Sequence, residues 1–131
     1  MNLLDSALKI LSLRPHSKQE VIKFLRKKTK DDTLINQIIE KLEKAKLIND
    51  EEFGRWVVES RSMSRPRGIR LLKQELKQKG VDIDIDVDEV ELAEKALEKK
   101  KSLSRDQTIR FLQYRGFSWE SIEKVVRKRY N

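Results

Sequence analysis

The sequence has no cysteine, one histidine, two prolines and four glycines in 131 residues. Without cysteine there is no disulfide scaffold, no thiolate zinc site and no thiol nucleophile, which fits a reducing compartment. A single histidine excludes a His–His metal site. His16 lies beside Pro15 and reads as a surface linker residue, because a lone imidazole rarely acts without an orienting partner. So little glycine and proline argues against sandwiches and barrels, which need turn residues at every hairpin. Aromatics are 6% of the chain, so the core must rest on Leu, Ile and Val. No stretch reaches the roughly 18 apolar residues of a membrane span. The start, Met1-Asn2-Leu3-Leu4-Asp5, lacks the basic and apolar regions of a secretory signal. A soluble cytoplasmic protein is expected, with no membrane partner. Neither common glycine-rich phosphate cradle occurs, nor any catalytic constellation. The expectation is a protein that is not an enzyme, with no cofactor and no metal.

Positive charge is what the chain has in excess. Lys plus Arg is 30 against 22 Asp plus Glu, a net charge of +8, and the pI is about 9.7. Such a balance points to a polyanionic partner. The excess is clustered: 7 basic residues to 1 acidic from Arg14 to Lys30, 8 to 2 from Arg55 to Lys79, and 10 to 3 from Lys99 to the end. Between Asp82 and Glu98 the sign reverses, with 8 acids to 1 lysine. Asp82, Asp84, Asp86 and Asp88 have the spacing that opens an EF-hand loop. Val87 stands where that loop needs glycine, so the stretch reads as a solvated acidic loop. It would repel phosphate or pair with a basic surface.

Apolar spacing predicts helices almost throughout. Leu4, Ala7, Leu8 and Leu11 form one stripe, which Arg14-Pro15-His16 breaks. Ser17-Lys18-Gln19-Glu20 reads as a capping box. It opens a two-faced helix, with Val21 and Leu25 on one side and Lys23, Arg26, Lys27 and Lys30 on the other. Asp31 or Asp32 starts a third helix, with Leu34, Ile35, Ile38, Ile39 and Leu42 inward, that ends near residues 45–47. Asn49-Asp50-Glu51-Glu52 opens a fourth, carrying Phe53, Trp56, Val57 and Ser60; Trp56 is expected in the core. Residues 61–68 read as a basic link. The next helix has Ile69, Leu72 and Leu76 inward, shows Arg67, Arg70, Lys73 and Lys77 on one flank, and stops at Gly80.

Val81 to Val90 alternates apolar and acidic residues with period two. A lone strand is unstable, so a loop with at most a short helical turn is expected. The helical pattern returns near Glu89 with Val90, Ala93, Ala96 and Leu97. A second capping box, Ser104-Arg105-Asp106-Gln107, opens a helix with Ile109, Phe111 and Leu112 that ends at Arg115-Gly116. Ser118 caps a last helix with Ile122, Val125 and Val126, and Trp119 is expected partly exposed.

The two ends of the chain align without gaps. Ile22-Lys23-Phe24-Leu25 falls on Ile109-Arg110-Phe111-Leu112, Ser17 on Ser104, Glu20 on Gln107, and Ile35, Ile38 and Ile39 on Ile122, Val125 and Val126. The middle helix joins if Leu76 is placed on Leu25 and Leu112. Gly80 and Gly116 then coincide, with Thr29 in the first copy. Modules of this kind stack to bury their apolar faces. Three units are expected, 1–48, 49–88 and 89–131, with the third helix of the middle one shortened or lost.

These residues resemble the RecX family of bacterial recombination regulators. The resemblance rests on three ordered segments. They are Leu11-Ser12-Leu13-Arg14-Pro15-His16-Ser17; Ser60-Arg61 to Arg67-Gly68 followed by Leu72 to Val81; and Phe111-Leu112-Gln113-Tyr114-Arg115-Gly116-Phe117-Ser118 with Ile122 and Val125. The resemblance covers essentially the whole chain. The resemblance implies an all-α fold of three tandem three-helix repeats stacked into a curved, elongated body. It also implies binding to the RecA nucleoprotein filament and inhibition of RecA ATPase, strand-exchange and co-protease activities, in DNA repair and the SOS response. Residues 81–90 depart from the family's fuller helix.

Recurring basic faces on equivalent helices would line a common surface matched to phosphate. The candidate DNA- and RecA-binding residues are Lys23, Arg26, Lys27, Lys30, Arg61, Arg65, Arg67, Arg70, Lys73, Lys77, Arg110, Arg115, Lys124 and Lys128. The expected partners are the RecA filament and single- and double-stranded DNA, bound by a monomer. The alternative is a helix-turn-helix DNA-binding protein without RecA. It needs one recognition helix with a compact set of base-reading side chains, whereas charge here is spread over several helices.

Overall fold

Short side chains that cap backbone amides start most of the helices in the computed structural model, which describes residues 2–100 and 102–131. Eight α-helices follow in order: α1 (Leu3–Leu13), α2 (Lys18–Arg26), α3 (Asp32–Lys44), α4 (Asp50–Met63), α5 (Ile69–Gln78), α6 (Glu89–Leu97), α7 (Arg105–Tyr114) and α8 (Trp119–Tyr130). Among the described residues there is no strand. The chain forms two compact units. One is Met1–Trp56 with Lys77–Asp82, the other Val57–Leu76 with Ile83–Asn131.

In the first unit, Ser17 accepts from the Glu20 amide while Glu20 accepts from the Ser17 amide, closing the expected capping box. Asp31 rather than Asp32 caps α3. Asn49 Oδ1 accepts from the amides of Glu51 and Glu52 at the start of α4. The core is Ala7, Val21, Leu25, Ile35, Ile38, Ile39, Leu42 and Ile48. Leu8, expected on the buried stripe of α1, is 38% exposed instead. Ala7 is fully buried there, and Leu3, Leu4 and Leu11 pack, partly buried, against the same core. Trp56 is half-buried rather than a core residue. Its ring lies 6.0 Å from that of Phe53 and 5.6 Å from the Arg14 guanidinium.

The second unit gathers Leu72, Leu92, Ala93, Ala96, Leu97, Leu112, Phe117, Ile122, Val125 and Val126 into its core. Its Ser104–Gln107 capping box closes as expected, and Ser118 caps α8. Thr108, buried where Val21 stands in the first repeat, satisfies its hydroxyl on Tyr130 Oη at 2.7 Å. α4 continues to Met63, so Arg61 belongs to a helix and the link shrinks to residues 64–68.

Leu25, Leu76 and Leu112, superposed by the sequence repeat, are each at most 1% exposed. The repeat also reproduces a junction. Ser17 Oγ donates to the Lys79 carbonyl at 2.8 Å, and the Gly68 amide donates to the Arg115 carbonyl at 2.8 Å. In the leucine alignment Ser17 falls on Gly68 and Lys79 on Arg115. Gly80 and Gly116, one residue on, adopt φ of 76° and 82°. Gly68 is obligatory for another reason: a Cβ there would stand 2.1 Å from the Gly116 carbonyl oxygen.

Residues 81–88 form no helix. Val81 is buried; Ile83, Ile85 and Val87 are half-buried, and Ile85 and Val87 pack on the second core. Asp82, Asp84, Asp86 and Asp88 are exposed. The period-two pattern is therefore that of an extended chain laid on a protein surface without a strand partner.

Candidate functional site

On α2, the side opposite Val21 and Leu25 exposes Lys23, Arg26 and Lys27, and Lys30 is exposed just beyond the helix. None makes an ion pair among the described residues. Above them, Glu20 pairs with Arg14 at 3.0 Å and Lys79 at 3.4 Å. Burial alone would raise the Glu20 pKa, but Arg14 and the Ser17 amide outweigh it and hold the carboxyl below its ordinary value. The charge at the head of α2 is thus consumed by the fold, while the charge along its outer face is not. On α5, Arg70, Lys73 and Lys77 are exposed at i, i+3 and i+7, on one flank, and make no ion pair among the described residues.

Arg61 and Arg67 are placed differently. Arg61 reaches Glu75 through Nη2 at 2.6 Å and through Nε at 3.1 Å, and Arg67 Nη1 reaches the same carboxylate at 3.3 Å. Glu75 is half-buried. Arg67 thus turns toward Glu75 rather than joining the flank of α5. Arg65, next to it, is exposed with φ of 57°, and its side chain makes no hydrogen bond among the described residues. Arg115 donates to the Pro66 carbonyl at 3.1 Å. Arg110 is exposed and makes no ion pair among the described residues. Lys124 pairs with Glu120 at 3.4 Å and Lys128 with Glu94 at 3.2 Å, all at the surface.

The structure therefore brings Arg61, Arg65, Arg67 and Arg115 into one neighbourhood. Arg67 is held below the usual arginine value by burial and then, against the pull of Glu75, by Arg61, Arg115 and Arg65. Lys95, Lys99 and Lys100 lie across a cleft from Arg65 and Arg115. They are absent from the sequence-derived set; the signal for Lys99 and Lys100 was the lysine run that opens the last basic cluster, whereas Lys95 stood alone in the acidic stretch.

Glu89 was also missed. It accepts from the Ile69 amide at 2.8 Å, the Ser118 amide at 3.0 Å and the Ser118 hydroxyl at 2.7 Å. One carboxylate thereby serves the starts of α5 and α8, filling donors that each helix leaves open. Among the described residues no group of three or more His, Asp or Glu could hold a metal ion. His16 Nδ1 lies 2.8 Å from the Arg14 carbonyl. Burial, then the Arg14 charge, lowers its pKa. No helix of the described residues is long and apolar enough to cross a membrane.

Two family models match the chain: the first three-helix domain of RecX over residues 4–42 and the second over residues 49–85. The regulatory protein RecX of Pelodictyon phaeoclathratiforme is 36% identical over 135 residues, covering 92% of this chain and 84% of that protein. The chain belongs to the RecX family. The regulatory protein RecX of Chlorobium limicola is 35% identical, with 92% of this chain and 84% of that protein covered. Among solved structures, RecX from Lactobacillus salivarius aligns with a TM-score of 0.78 at 26% identity, covering 96% of this chain and 93% of the other. The tandem three-helix architecture is thus that of RecX regulatory proteins. In this RecX chain, candidate cations without an ion pair among the described residues lie on the outer faces of α2, α5 and α7.

Proposed function

We propose that this chain binds RecA–single-stranded DNA filaments in the bacterial cytoplasm and lowers their ATPase, strand-exchange and co-protease activities. Membership of the RecX family carries the reading. The exposed cations without partners on α2, α5 and α7 support it, because a surface with no internal counter-charge binds a polyanion without first breaking its own ion pairs. Residues 1–48, 49–88 and 89–131 act as three copies of one module in a monomer. The contacts come first from Lys23, Arg26, Lys27, Lys30, Arg65, Arg70, Lys73, Lys77 and Arg110. Arg61, Arg67, Arg115, Lys124 and Lys128 add to the local potential. The work is binding and a shift in the state of the filament, not bond chemistry.

The test is ATP hydrolysis by RecA on single-stranded DNA, with this protein added below stoichiometric amounts. A fall in rate is expected; an unchanged rate overturns the reading. A footprint at one specific duplex sequence, with no effect on RecA, would instead favour a helix-turn-helix regulator.

A further inference from the structure

Phe111 is half-buried near the end of α7, and two cations share its ring. The Lys100 ammonium lies 5.3 Å from the centroid and the Arg115 guanidinium 5.0 Å. Neither makes an ion pair among the described residues. Two like charges gathered on one ring repel, and the ring quadrupole offsets only part of that. The hydrogen bond to Pro66 fixes Arg115 further. Arg65, exposed and with no side-chain hydrogen bond among the described residues, precedes that proline. Lys95 and Lys99 come from the end of α6 and the residues after it. The five cations line one cleft of about 650 Å³, in which Glu98 is the one carboxylate lining residue among those described.

Such a site lacks an anion, and the exposed residues that line it or adjoin it in sequence suggest which kind. Met63 lines the cleft and is 83% exposed, and Tyr114, immediately before Arg115, is also 83% exposed. Fixed cations beside an exposed aromatic are what sequence-independent single-strand binders use, with phosphates on the charges and base faces on the rings. An acidic peptide would engage the cations and leave Tyr114 and Met63 in water. A duplex keeps its base faces stacked inside and offers Tyr114 nothing.

We propose that the cleft of Arg65, Lys95, Lys99, Lys100 and Arg115 seats the phosphodiester backbone of a single DNA strand, with Tyr114 stacking on a base beside it. This deepens the reading above and rests on it for the presence of a strand. The experiment is fluorescence anisotropy of a labelled oligothymidine with the full chain, without RecA, across a potassium chloride series. Lys99→Glu/Lys100→Glu should lose about tenfold or more in affinity. The slope of log affinity against log salt should flatten by about 1.4, for two strand contacts. Tyr114→Ala should lose roughly five- to hundredfold with the slope unchanged.

Circular dichroism of each variant checks that the fold is kept. Unchanged affinity and slope in the folded double variant overturn the proposal. So does loss of polyglutamate binding in that variant while Tyr114→Ala binds the strand normally, which gives the cleft to an acidic peptide. RecA ATPase measured in parallel separates the two readings. If the wild type slows RecA but the double variant binds oligothymidine normally, the cleft assignment falls alone. If the wild type leaves RecA untouched but the double variant loses the strand, the regulator reading falls alone.

Discussion

Replacing Glu89 with alanine removes the acceptor for three donors at two helix starts. The Ile69 amide at 2.8 Å, the Ser118 amide at 3.0 Å and the Ser118 hydroxyl at 2.7 Å all lose their carboxylate. Losing a helix cap costs about 1 kcal/mol, and a hydrogen bond to a charged group is worth about 1.5–3. The Ser118 hydroxyl keeps the Ser121 hydroxyl at 3.1 Å, and water reaches part of the site, so the three do not add fully. The expected loss is about 2–4 kcal/mol for the second unit. Urea unfolding should show the midpoint falling by about 1–2 M, with slope unchanged, for a slope near 2 kcal/mol/M. Hydrogen exchange localises the effect, with protection falling at Ile69 and Ser118 before α2 or α3 responds. The pH dependence gives an independent check. Burial raises the Glu89 pKa, but the bonds from Ser118 and Ile69 outweigh it and leave the folded value below the ordinary 4.5. A lowered folded pKa means the stabilisation is complete above the unfolded value and is lost as pH falls through the folded one. The gap between wild type and Glu89→Ala should therefore be widest near neutrality and narrow below about pH 4.5. Glu91→Ala, exposed on the same turn, should change stability by less than about 0.5 kcal/mol. If Glu89→Ala is as mild as Glu91→Ala, or the gap does not shrink in acid, the double-capping account is wrong.

Gly68→Ala puts a methyl 2.1 Å from the Gly116 carbonyl and should lower the melting temperature by several degrees or more; an unchanged melt would mean that the two backbones are not so close. Glu75→Ala leaves Arg61 and Arg67 without their shared carboxylate and should cost about 1–3 kcal/mol by urea unfolding, although each pair alone is a modest contact. The triple reversal Arg70→Glu/Lys73→Glu/Lys77→Glu should leave the melt within about a degree or two and raise tenfold or more the protein needed to slow RecA; equal potency would show that this flank does not face the polymer. Lys124→Glu/Lys128→Glu, whose charges already pair at the surface, should change that potency less.

What was legible in the sequence was local. Ser17 with Glu20, Ser104 with Gln107, Asn49, Asp31 and Ser118 cap amides two or three residues away, so spacing alone reveals them. The glycine stops at 80 and 116 follow from left-handed backbone. The alternation at 81–88 carried true geometry as well. It describes an extended chain, and the missing partner strand correctly argued against a sheet. Leu8 went astray because a helical stripe does not say which of its members faces the core squarely, as the fully buried Ala7 does, and which sits at its edge. Glu75 and Glu89 were beyond reach for another reason: their partners lie up to 14 and 29 residues away, where spacing says nothing. The same holds for Lys100, eleven residues before the Phe111 ring it lies over.

The candidate cations can be ranked by what each must give up to meet a phosphate. Lys23, Arg26, Lys27, Lys30, Arg65, Arg70, Lys73, Lys77 and Arg110 surrender no ion pair among the described residues, so their full attraction is available to a partner. Lys124 and Lys128 surrender surface pairs worth about 0–1 kcal/mol each, a sum that one phosphate contact can match. Arg61 and Arg67 stand apart. Pulling either away leaves the half-buried Glu75 with fewer donors, and a carboxylate stranded in that way costs more than an exposed pair returns. Self-repulsion in a chain of net charge +8 sharpens the division. Three of its half-buried carboxylates, Glu20, Glu75 and Glu89, each hold a helix start or a pair of cations. Exposed positive charge that they do not hold includes that on the outer faces of α2, α5 and α7, where water screens it until a polyanion displaces the counterions.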